Sequence, residues 1–274
     1  MTYLNLGQCG LDYFPCRYGK SKLLFRGPRR DMAGDFIAMV GGTETYGKFI
    51  EQPFAALVER ALGVETVNFG CVNAGVDVFA NEASLIEACS NARVTVVQVV
   101  GAQNMTNRFY AVHPRRNDRF LRASALLKTI YSEVDFAEFS FTKHLLCALH
   151  SLSAERFEVL RDELKAAWVA RTKLLVSKIE GKTILLWFAD RAPEDGSAGG
   201  LGRDPLFVDR DMIEEIRPCV SEVVEVVPDA AVLAKGTDGM MFSAMEEPAA
   251  RELMGVAAHE QVAQALIEPL KRLM

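Results

Sequence analysis

The apolar run Phe36-Ile37-Ala38-Met39-Val40 leads directly into Gly41-Gly42-Thr43-Glu44-Thr45-Tyr46-Gly47. Such a run reads as a buried strand that stops at a tight turn. The turn projects the Thr43 hydroxyl and several backbone N–H groups from the strand's carboxyl end, which in open α/β sheets is the edge where ligands bind. A hydroxyl beside amide donors can attack an acyl carbon if a base takes its proton, or hold a polar ligand if none does. Two later junctions, Val67-Asn68-Phe69-Gly70 and Val99-Val100-Gly101-Ala102-Gln103-Asn104, repeat the arrangement.

These turns must be carried by alternating strands and helices. Residues 49–62 read as a helix with Phe54, Leu57, Val58, Ala61 and Leu62 on one face, and 64–68 as the second strand. Residues 81–92 form a second helical pattern and 94–100 a third strand. The β-α-β-α-β order predicts a parallel sheet with helices on its faces, and right-handed crossovers bring the three strand ends to one edge. From 119 to 180 helix formers dominate, with one long amphipathic helix over 153–179; 105–180 is read as a helical insertion after the third strand. The alternation resumes with a strand at 183–189, a glycine- and proline-rich loop at 191–203, a helix at 209–218, a strand at 222–227 and a final helix at 256–274. The expected architecture is one α/β domain over 1–274: a three-layer sandwich on a five-stranded parallel sheet, flavodoxin-like in general form.

The 274 residues carry a net charge of −5, which argues against a general nucleic-acid binder. No apolar run reaches membrane-spanning length and the start lacks the features of a signal peptide, so no membrane contact and a cytoplasmic location are expected. The six cysteines are scattered, without a C-x-x-C pair or a histidine at ligand spacing, and read as free, mostly buried thiols rather than a metal site. Cys71, beside Gly70, has no basic partner nearby in sequence. Gly41-Gly42-Thr43 lacks the lysine of a phosphate loop and the spacing of a dinucleotide fingerprint, so no cofactor is expected.

Two basic clusters stand out against this acidic total. In the first thirty residues Arg17, Lys20, Lys22, Arg26, Arg29 and Arg30 face only Asp12. Between Asn104 and Arg122, Arg108, Arg115, Arg116, Arg119 and Arg122 face only Asp118. Either cluster can be a solvated face. Arg108, Arg115 and Arg116 directly follow the third strand's loop, however, and their planar guanidinium groups suit phosphate, sulfate or carboxylate at the crevice.

The blocks resemble those of the SGNH (GDSL-type) hydrolases. Residues 41–47 look like the first block, G-D-S-x-T-x-G; Asn68-Phe69-Gly70 followed by Asn73-Ala74-Gly75 is similar to the second; Gly101-Ala102-Gln103-Asn104 resembles the third, G-x-N-D. His259 stands where the family keeps its catalytic histidine. The resemblance implies Thr43 as nucleophile, His259 as base, and an oxyanion hole of the Thr43 N–H, the Gly70 N–H and the Asn104 side chain. It departs from the family at Gly42, at Thr43 in place of serine, at Met105, and at Val256, where D-x-x-H requires an acid that Asp238 or Glu247 would have to replace. The whole chain also resembles a bacterial family without an assigned activity. The implied function is an esterase or acyltransferase on an anionic or carbohydrate-linked small molecule; the alternative is a catalytically silent SGNH-like domain that binds an anionic glycan or metabolite.

Overall fold

The computed structural model describes residues 10–195 and 200–274. Its strands are β1 (Phe36–Gly41), β2 (Glu65–Gly70), β3 (Val94–Gln98), β4 (Tyr110–His113), β5 (Arg116–Ala123), β6 (Thr183–Phe188) and β7 (Glu222–Val226). The α-helices are α1 (Thr43–Tyr46), α2 (Phe54–Leu62), α3 (Val76–Ala80), α4 (Ala83–Asn91), α5 (Ala125–Ile130), α6 (Thr142–Leu152), α7 (Ala154–Lys178), α8 (Arg210–Ile216), α9 (Ala230–Leu233), α10 (Glu247–Ala250) and α11 (Val256–Leu273). No helix among the described residues is long and apolar enough to cross a membrane.

Five strands form one parallel sheet in the order β2-β1-β3-β6-β7. The order reverses direction beside β1, so the boundary between β1 and β3 is the topological switch point of the sheet. β1 is buried throughout, and successive side chains go to opposite faces. Phe36, Ala38 and Val40 join a core with Leu85, Leu160, Leu164 and Ile213, from α4, α7 and α8. Ile37 and Met39 join a second core with Phe54, Val58, Val262 and Leu266, from α2 and α11. These three layers are the expected sandwich.

Several boundaries differ from the sequence expectation. The 49–62 helix starts only at Phe54, because Pro53 takes the N-cap position and Phe49 adopts φ +68°. β2 runs on to Gly70, and α3 precedes the expected 81–92 helix. Within 119–180 lies most of β5, paired antiparallel with β4. Its buried residues, Asn117, Phe120 and Ala123, recur every third position because the pairing shifts register on either side of Val112. The two-residue alternation that marks a strand is therefore missing. The long helix, α7, packs against the sheet, where the Trp168 ring N–H donates to the Val100 carbonyl at 2.7 Å. It is the crossover between β3 and β6, so the 105–180 segment supplies a layer of the sandwich as well as the hairpin.

Candidate functional site

Helix α1 opens at the carboxyl end of β1 with Gly42 as N-cap and no side-chain cap of its own. The missing acceptor comes from β3. Gln98 Oε1 accepts from the Gly42 N–H at 3.1 Å, the Thr45 N–H at 3.1 Å and the Thr45 hydroxyl at 2.6 Å. A polar side chain in the middle of an apolar run was the sequence signal for this residue, since a buried amide must find partners.

The half-buried Thr43 hydroxyl meets the loop after β2. It accepts the Asn73 N–H at 3.0 Å and lies 3.3 Å from Asn73 Oδ1, to which it donates. Asn73 holds φ +55°, a conformation that asparagine tolerates better than most residues. Its amide nitrogen donates to Asp118 Oδ2 at 3.3 Å, and its carbonyl accepts from Asn104 Nδ2 at 3.1 Å. Asn104 Oδ1 in turn accepts the Thr142 hydroxyl at 2.6 Å. The hairpin is tied to the same loop by the fully buried Asn117, whose Oδ1 accepts the Gly75 and Val78 N–H groups.

The structure thus brings Thr43 and Asn104 together through Asn73, which the sequence reading did not single out. Gly70 is placed differently. Its N–H donates at 2.8 Å to Asn68 Oδ1, so the backbone donor aimed at the Thr43 hydroxyl belongs to Asn73. What Gly70 supplies is closeness, because a Cβ there would lie 2.2 Å from the Tyr46 nitrogen.

His259 departs furthest from its expected role as base. It has no exposed surface and sits in the α2–α11 core, stacked on Phe54 with the Phe188 ring edge-on. Its Nδ1 accepts the Phe54 N–H at 3.2 Å, which places the ring proton of the neutral imidazole on Nε2. Nε2 faces Glu44 Oε2 at 3.7 Å, and Glu44 Oε1 accepts the Met254 N–H at 3.3 Å. A neutral imidazole has one acceptor nitrogen, and here Phe54 occupies it. His259 therefore reads as a strut between α2 and α11. His259→Leu is expected to orphan the Phe54 N–H and lower stability by about 1–3 kcal/mol. Chemical denaturation checks this, and an unchanged midpoint would count against the strut.

The arginines divide. Arg108 pairs with Glu163 on α7 at 3.4 Å. Arg115 and Arg116 are exposed at the turn between β4 and β5, where their backbone N–H groups both donate to His113 Nδ1 at 3.2 Å. In the N-terminal cluster Arg26 is buried and donates to the carbonyls of Tyr46, Gly47 and Glu51, so it clamps the end of α1 from behind. A cavity of about 330 Å³ lies beside it, lined by Arg30, Glu59, Thr66 and Asn68 among others. It is bounded by α2 and the 11–30 segment and includes neither Thr43 nor Asn104. Burial pushes the Cys71 thiol up to about 12, away from the reactive thiolate form.

A parallel sheet in this order, with the first three blocks at its carboxyl-edge turns, is the three-layer, flavodoxin-like α/β fold that the sequence predicts. The chain belongs to the family described as Domain of unknown function (DUF6473), whose model matches residues 1–274. Among solved structures it is similar to a carbohydrate esterase family 2 enzyme from Corynascus thermopiles (Myceliophthora fergusii), at 12% identity and TM-score 0.44 over 90% of this chain and 69% of that one. A family two carbohydrate esterase from Clostridium thermocellum, solved with cellohexaose, gives 12% identity and TM-score 0.44 over 91% of this chain and 66% of that one. A lipase from a goat rumen metagenome gives 13% identity and TM-score 0.41 over 88% of this chain and all of that one. The chain spans about two thirds of the length of the two esterases. No curated protein matches the sequence.

Proposed function

We infer that this chain is an SGNH-like domain that holds an anionic or carbohydrate ligand at the carboxyl edge of its sheet without hydrolysing it. The observation that carries this reading is the environment of the Thr43 hydroxyl, whose proton faces the carboxamide oxygen of Asn73 at 3.3 Å. An amide oxygen does not take up a proton at neutral pH, so the hydroxyl is a donor and acceptor and not an activated nucleophile. The expected base, His259, has its acceptor nitrogen occupied and no access to solvent. Thr43 is bonded to Asn73, whose own partners are the Asn104 amide and the Asp118 carboxylate, donors and acceptors suited to the pattern of sugar hydroxyls.

One observation favours the esterase reading instead. The Asn73 N–H already points at the Thr43 oxygen, and Asn104 has a second amide hydrogen beyond the one given to Asn73. Hydrolysis of a short activated ester separates the two. Wild type, Thr43→Ser and Thr43→Val are expected to match buffer hydrolysis. Calorimetry should show short oligosaccharides binding wild type and losing affinity in Thr43→Val, which orphans the Asn73 donor. Saturable turnover that Thr43→Val abolishes and Thr43→Ser keeps would establish the enzyme.

A further inference from the structure

Eleven arginines elsewhere in the chain face a carboxylate. Nine arginines among the described residues form no ion pair, and four of these, Arg115, Arg116, Arg119 and Arg122, lie together on the β4–β5 hairpin. In a net-acidic protein that is a local excess of unpaired positive charge, set on the element that Asp118 and Asn117 fasten beside Thr43.

The hairpin's irregularity places these charges. Between the buried positions Asn117, Phe120 and Ala123 of β5, Arg116 and Arg122 are exposed and Arg119 is half-buried. Arg119 is already ordered: its guanidinium carbon lies 4.2 Å from the centroid of the Phe141 ring, and the backbones of the two residues form a bridge. Phe141 is 41% exposed and Leu121, between the arginines, is 53% exposed. A cluster of unpaired cations with accessible apolar side chains beside it suits a ligand that carries several negative charges and also offers apolar C–H faces.

We propose that the outer side of this hairpin is the binding lip for an acidic oligosaccharide, a chain of carboxylate-bearing sugars whose end reaches the Thr43 crevice. This rests on the ligand-binding reading of that crevice and extends it to a substrate class. Guanidinium groups bind the sugar carboxylates in bidentate fashion, while Phe141 and Leu121 take the C–H faces of the rings. The stacked Arg119 loses little freedom on binding, which favours affinity. A nucleic acid also repeats its charge, but the overall charge of −5 repels it and the crevice carries hydroxyl and amide groups rather than base-stacking rings.

The test measures binding of tetragalacturonate, cellotetraose and a short oligothymidylate to the full chain by calorimetry at low and moderate salt. Tetragalacturonate should bind more tightly than cellotetraose and weaken with salt. Arg119→Gln and Phe141→Ala should each weaken it by about tenfold, with circular dichroism unchanged and only a small fall in melting temperature from loss of their stack. Tetragalacturonate binding that neither variant alters would overturn the lip while leaving the crevice reading intact, provided Thr43→Val weakens it. Loss in the lip variants but none in Thr43→Val would keep the lip and remove the crevice from the site. Absence of binding by both sugars would overturn both, and tighter binding of the oligothymidylate would reassign the surface to nucleic acid.

Discussion

Replacing Gln98 by leucine is expected to cost about 3 kcal/mol or more, the largest effect of any single polar truncation near the site. One buried oxygen accepts three donors: the Gly42 N–H, the Thr45 N–H and the Thr45 hydroxyl. Each donor left in the core without an acceptor costs about 1–3 kcal/mol. None of the three can turn to water, because Gln98 and Thr45 are buried and Gly42 is fixed between β1 and α1. The melting temperature should fall by roughly 10 °C for a chain of this size, and ligand affinity should fall with it, since Thr43 sits on the turn that Gln98 holds. Gln98→Glu keeps an oxygen in place and should lose less. A leucine variant melting within about 2 °C of wild type would show that the turn holds itself.

Gly75→Ala should be comparably severe through a different cause. Gly75 has φ −107° and ψ 177°, a conformation open to alanine, so backbone strain is not the issue. The obstacle is the Asn104 carbonyl oxygen, which would lie 1.6 Å from the new Cβ. Both partners are backbone, and neither can swing aside as a side chain would. The loop after β2 and the loop after β3 must therefore separate, breaking the Asn104–Asn73 bond and moving Asn73 away from Thr43. Overpacking of this kind costs about 3 kcal/mol, sometimes more. Gly34→Ala is the control, since nothing lies within 4 Å of its added Cβ. It should change stability by no more than about 0.5 kcal/mol. Equal melting temperatures for the two variants would mean that the loops are not in the contact described.

The strands of the sheet were legible because buried parallel strands are short apolar runs punctuated by glycine, and Val40-Gly41, Phe69-Gly70 and Val100-Gly101 are such points. The same pattern put Thr43 and Asn104 in turns at the carboxyl edge of the sheet. The hairpin was not legible, because its buried residues recur every third position and its arginines look like a solvated helix. The family resemblance pointed to the Gly70 N–H, yet that N–H is given to Asn68 and the backbone N–H that meets the Thr43 hydroxyl is Asn73's, an αL residue at which glycine is the usual signal and asparagine a weaker one.

By itself the sequence determined the layered α/β fold, the position of Thr43 at the end of the first strand, and the placing of Asn104 after the third. These follow from local rules: apolar runs, helical stripes and turn glycines act over a few residues and need no knowledge of the partners. Only the tertiary structure decided what the polar groups do. Whether His259 is a base depends on which donor reaches its Nδ1, and that donor, the Phe54 N–H, is 205 residues away in the chain. Whether Thr43 is activated depends on Asn73, thirty residues on, and Gln98 acts on a turn more than fifty residues before it. A hydrogen bond is made by atoms within about 3 Å, and for groups this distant in sequence only the folded chain says which atoms those are.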